Sequence, residues 1–117
     1  MSPTSRVVSQ VAFDGPMLDA VDAVLFQVSD SLERTRKGRV WTAFFGDIPI
    51  DIQAQRTVDH WDELESDLEI WGIAPDDWPT TISLSARTNA KEGYRAIRLL
   101  NQKLCQALNG VATEPSA

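Results

Sequence analysis

Cysteine and histidine are nearly missing from this chain, which has one of each, Cys105 and His60. One cysteine excludes an intramolecular disulfide. The two residues together fall short of the roughly four Cys or His ligands that zinc takes. None of the six glycines opens a Lys-Ser/Thr phosphate loop. The acids near Asp59 lack the glycine of a calcium loop, so no metal and no cofactor is expected. No run approaches the roughly 20 apolar residues of a membrane-spanning helix. Met1 to Arg6 is not followed by the apolar stretch of a secretory signal, which leaves a cytoplasmic location as the expectation. Basic residues are also scarce, 11 against 17 acids, for a net charge of −6. Such a chain repels nucleic-acid phosphates and anionic membrane surfaces, so neither is expected as a partner.

What is present reads as globular. Hydrophobic residues make up 43% and charged residues 24% of 117 positions, enough for one core that buries about two thirds of the unfolded surface. Residues 1–110 are expected to form a single α+β domain, and 111–117 a frayed C-terminal tail.

Periodicity supplies the elements. Val7 to Phe13 alternates as a strand. Asp14-Gly15-Pro16 opens a helix predicted from Met17 to about Arg36, with Leu18, Val21, Leu25, Val28 and Leu32 as its stripe. Arg34, Arg36, Lys37 and Arg39 suit a helix C-terminus, and Gly38 stands where the helix should stop. Val40 to Ala54 predicts a hairpin turning at Gly46-Asp47. Its register sets Phe45 against Ile48, Ala43 against Ile50 and Trp41 against Ile52 on the core side. Pro49 sits awkwardly there, since proline cannot donate to a ladder.

Thr57 to Trp71 returns to helical spacing through Trp61, Leu64, Leu68 and Trp71, and Gly72 ends it. Thr80 to Ala86 alternates as a strand. Asn89 and Glu92 are spaced as a capping box for a last helix with Ile97, Leu100, Leu104 and Leu108 inward, ended by Gly110. The predicted order is β-α-β-β-α-β-α. That is a four-stranded antiparallel sheet in the ferredoxin-like split βαβ arrangement, plus a C-terminal helix.

Catalytic chemistry is not indicated. His60 and Cys105 have no evident triad partners, and no paired carboxylates show an apolar setting that would raise a pKa. Asp59 through Asp77 is the sharpest feature: eight carboxylates, no Lys or Arg, with Trp61, Trp71 and Trp78 interleaved. Like charges at such spacing cost a helix a few tenths of a kcal/mol per pair, which is compatible with a face kept for a basic partner.

The expected function is therefore a small acidic protein-binding module that neutralises or regulates a protein with a basic surface, in the manner of an immunity protein or antitoxin. Its partner-binding residues would be Asp59, Asp62, Glu63, Glu69, Asp76, Asp77 and Trp78. The alternative is a homodimeric ligand-binding or regulatory domain using the open sheet face near Phe44 and Gln53. A cofactor-free enzyme built on Asp47, Asp51 or His60 is the third reading. Lys91, Arg95 and Arg98 share an outward face near Arg87. Phe26 and Leu99 fall on the polar sides of their helices, and Phe44 lies on the second face of the hairpin, where the last helix is expected to cover it as core.

Overall fold

The computed structural model describes residues 3–35, 39–60, 72, 74–88 and 90–115. In chain order these form β1 (Thr4–Ser9), α1 (Gly15–Val28), β2 (Ser31–Arg34), β3 (Val40–Phe45), β4 (Ile48–Arg56), a 3-10 turn (Thr57–His60), β5 (Thr80–Ala86), α2 (Lys91–Leu108) and β6 (Gly110–Ala112). The α+β class holds. The four-stranded sheet does not: all six strands join one antiparallel sheet in the order β2-β3-β4-β5-β1-β6, with two helices among the described residues. The extra strands, β2 and β6, lie at the two edges.

The first correction concerns α1. Asp14 accepts a hydrogen bond from the Met17 N–H at 3.0 Å, and Pro16 occupies the first turn, as the sequence implies. The helix ends at Val28, not near Arg36. Ser29 is extended (φ −92°, ψ 159°) and its hydroxyl turns back to the Leu25 carbonyl at 2.6 Å. Asp30 then gives its N–H to the Phe44 carbonyl at 2.8 Å and accepts from the Gly46 N–H at 2.6 Å. Serine and aspartate compete in this way with helix continuation, and the following residues enter the sheet as β2. Arg34 therefore stands in a strand and Arg39 just before β3, so neither complements a helix end.

The hairpin takes the predicted register: Phe45 pairs with Ile48, Ala43 with Ile50 and Trp41 with Ile52. Gly46 carries the positive φ (63°) that the tight turn requires. Pro49 finds its place by alternation. Its neighbours Phe45 and Ile48 flank a two-residue turn and exchange hydrogen bonds, so the next pair, Phe44 and Pro49, does not. The missing N–H points toward β5, whose pairing with β4 begins only at Ile50 and Ala86.

β1 is shorter than its alternation suggested, ending at Ser9, and Val11 and Phe13 fall beyond it. Of the helix predicted over Thr57 to Trp71, Thr57–His60 is a 3-10 turn, and Trp61, Leu64, Leu68 and Trp71 lie outside the described residues. Asn89 does too, and Ala90 caps α2 without a side-chain hydrogen bond.

Both helices cover the same sheet face. Met17, Val21 and Leu25 of α1 and Ile97, Leu100, Leu104 and Leu108 of α2 enclose Val7, Trp41, Ile50, Ile52, Ile82 and Leu84. Each fully buried side chain of this size contributes roughly 1.5–3 kcal/mol. α2 ends at Asn109 in the left-handed region (φ 50°, ψ 50°), and Gly110 starts β6. Polar bonds fasten that edge. Ser9 Oγ donates to the Leu108 carbonyl at 2.6 Å, Ser5 Oγ to Asn101 Oδ1 at 2.9 Å, and Asn101 Nδ2 to the Thr113 carbonyl at 3.2 Å. No buried side-chain polar atom of a described residue lacks a partner.

Candidate functional site

Asp59, Asp76 and Asp77 are all exposed, and Trp78 is half-buried. Asp62, Glu63 and Glu69 lie outside the described residues. Two tight bonds to the Ala74 carbonyl, from the Asp77 N–H at 3.1 Å and the Trp78 N–H at 3.0 Å, fold residues 74–78 into a turn. The Thr57 N–H reaches the Pro79 carbonyl at 3.0 Å, fastening the 3-10 turn beside it. The tertiary structure thus brings Val58, the neighbour of Asp59, onto one groove with Pro75 and Asp76, across nearly twenty residues of chain.

The groove, of about 330 Å³, has Phe13, Val58, Pro75 and Pro79 as apolar lining and Arg56 and Asp76 as charged lining. Phe13 and its neighbours were not among the residues predicted for the site. The guanidinium of Arg39 lies 5.0 Å from the Phe13 ring centre and that of Arg56 5.8 Å, both within cation–π reach. The alternation through Phe13 reads as strand and conceals this role. No ion pair joins Asp59, Asp76 or Asp77 to a described residue, whereas Asp22, Asp51 and Glu114 each meet an arginine.

One of those paired acids is Asp51, on the sheet face opposite the helices. Arg87 holds it bidentately at 2.8 and 2.9 Å, and Thr42 Oγ1 donates to it at 3.0 Å. The Arg87 guanidinium, helped by Thr42, keeps this carboxyl below its ordinary range despite partial burial. Beside it, Val40, Gln53, Ser83 and Ser85 line a depression of about 150 Å³. Phe44 is half-buried on this face but does not line the depression. Asp47 sits at the exposed hairpin turn, a separate position from Asp51 on β4, and the His60 side chain lies outside the described residues. A carboxyl held low, as in Asp51, is the reverse of what a general acid needs.

On the helix side, Asp22 accepts from Arg34 Nη2 at 2.9 Å and from the Trp41 indole N–H at 3.1 Å. Arg34, foremost, and Trp41 hold its carboxyl below the ordinary range. Cys105 is half-buried, and burial pushes its thiol up, away from the reactive thiolate. Lys91, Arg95 and Arg98 are exposed on α2, with Arg98 3.7 Å from Glu114. Phe26 and Leu99 are exposed in the helix layer, and Phe44 faces the other side of the sheet, so the three do not converge.

Among the described residues no group of three or more His, Cys, Asp or Glu is placed to hold a metal ion, and no helix is long and apolar enough to cross a membrane. Comparisons with protein-family models, with curated proteins and with solved structures found no match to this chain.

Proposed function

We propose that this chain is a small acidic protein-binding module that docks a partner with a basic surface along the Phe13 groove and its carboxylate rim, and so neutralises or regulates that partner. One observation carries the reading. Asp59, Asp76 and Asp77 make no ion pair with any described residue, although Arg56 lines the groove with Asp76, while Asp22 and Asp51 are each bonded to an arginine. Exposed carboxylates without a bonded arginine, beside a largely apolar groove, favour association with an opposite charge and steer it. Asp62, Glu63 and Glu69 add to the acidity of the same stretch of sequence. An inhibitor in the style of an immunity protein or antitoxin is the form of regulation that these properties suit.

The test is affinity capture from native extract with wild type and an Asp59→Lys, Asp76→Lys, Asp77→Lys variant, after circular dichroism has shown that both fold. A basic protein retained by wild type, released as salt rises and lost by the variant is the expected result. Equal retention by both proteins sinks the acidic-rim reading.

A second reading, a homodimeric ligand-binding or regulatory domain, draws support from the depression beside Gln53 on the open sheet face. It requires a small polar ligand whose binding is weakened by Gln53→Ala and unchanged in the acidic-rim variant.

A further inference from the structure

β2 is the last strand on one side of the sheet and spans four residues. Thr35 donates its N–H to the Val40 carbonyl at 3.1 Å. Bonding in an antiparallel pair alternates every second residue, so Ser31 and Glu33 turn their backbone groups to β3. Leu32 and Arg34 turn theirs outward, where no strand of the described residues lies. Beside this edge stands Phe26 of α1, 68% exposed, with the Arg34 guanidinium 5.8 Å from its ring centre. Unpaired backbone and an exposed aromatic side chain therefore share one margin. Each is ordinary alone; together they have the makings of an interface.

We propose that this margin is a self-association surface, on which β2 pairs antiparallel with β2 of a second copy about a two-fold axis through Leu32. The charge pattern selects that occupant. With Leu32 opposite its own equivalent, Ser31 faces Glu33 of the other copy and Asp30 faces Arg34. A hydroxyl meets a carboxylate, an acid meets a base, and no like charges oppose each other. Moving the axis to Glu33 sets two glutamates against each other and presents backbone groups already bonded to β3. The Leu32 axis gives both copies an outward N–H and C=O at the centre and sets no like charges opposite each other, whereas an axis at Glu33 or Arg34 opposes two like charges. In this arrangement Arg34 meets Asp30 and Glu33 meets a hydroxyl, so neither charge that wards off an arbitrary strand faces its like. Phe26, beside Arg34, is covered by the second copy. The surface involves none of the acidic-rim residues, so it stands or falls apart from the function proposed above.

The experiment is sedimentation velocity on the full chain over a rising concentration series, with Phe26→Glu and Leu32→Pro beside wild type. Wild type is expected to move from 13.0 kDa toward twice that mass at high micromolar concentration. Proline at position 32 removes an outward N–H and leaves the bonds to β3 in place. Phe26→Glu alters a side chain already exposed, so it decides the matter if the proline variant fails to fold. Each variant is expected to raise the dimerisation midpoint by about tenfold or more, the effect of losing a buried aromatic contact. A wild type that remains at 13.0 kDa throughout overturns the proposal. So does a dimer that survives Phe26→Glu unchanged, since its interface must then lie elsewhere.

Discussion

Asp22 shows how one side chain can serve two neighbours of different burial. Its carboxylate accepts from the guanidinium of Arg34, which is exposed, and from the indole of Trp41, which is 2% exposed. The ion pair alone is of the exposed kind, screened by solvent, and adds little. The indole bond matters more, because a buried N–H left without an acceptor costs about 1–3 kcal/mol. Asp22→Ala is therefore expected to lower stability by about 1–3 kcal/mol, measured by urea denaturation. Asp22→Asn, which keeps an acceptor for Trp41, should recover most of the loss. If the two variants are equally destabilised, the indole bond is not the main contribution. Neither partner of Asp22 was legible in the sequence, since Trp41 and Arg34 lie 19 and 12 residues away and no local pattern links such positions.

At the scale of elements, legibility followed the range of the interactions that decide each one. The β3–β4 register was readable because a two-residue turn at Gly46-Asp47 and strict alternation act within a few residues. β2 was not, because Leu32 continues the spacing of the α1 stripe, and what draws the chain into the sheet is its bonding to the distant Val40–Gly46 segment, begun by Asp30 with Phe44 and Gly46. Gly110 illustrates a right position with a different cause. It stands where a helix stop belongs, but Asn109 takes the left-handed turn. Gly110 is needed because a Cβ there would come within 2.6 Å of the Val8 carbonyl oxygen. Relieving that contact means moving β6 off β1. Gly110→Ala is expected to cost about 1–3 kcal/mol, as overpacking does, and to raise amide exchange first at Val111 and Thr113, whose N–H groups bond to β1. Unchanged exchange there would mean that the edge absorbs a methyl group without shifting.

Over the whole molecule, the matched carboxylates give stability a defined pH dependence. Asp22 and Asp51 are both held below the ordinary value of 3.8, chiefly by the arginines bonded to them. The unfolded chain therefore binds their protons more readily than the folded one. Their contribution is fully present above the unfolded value and is lost as pH falls through the lower folded values. Stability should hold down to about pH 4 on their account and fall below it. The side chains are 31% and 39% exposed, so solvent screening keeps each contribution to about 1 kcal/mol or less. An Asp22→Asn, Asp51→Asn variant is expected to be less stable at neutral pH and to show a shallower acid loss in urea midpoints. An unaltered slope below pH 4 would assign the acid sensitivity to other carboxylates.

The candidate site divides along the same line. Its acids were legible because a run from Asp59 to Asp77 without Lys or Arg is a property of the chain itself. Phe13, Arg39 and Arg56 were not, because they meet only when β1, β3 and β4 have assembled. By itself the sequence determined the α+β class, the hairpin register, the capped start of α1 and the inward face of α2, all governed by contacts a few residues apart. The tertiary structure alone decided that two further strands complete the sheet edges, that both described helices cover one face, and that Val58 and Asp76 line one groove with Phe13. Those outcomes rest on backbone hydrogen bonds and buried area between distant segments, and their energies exist only once the segments have come together.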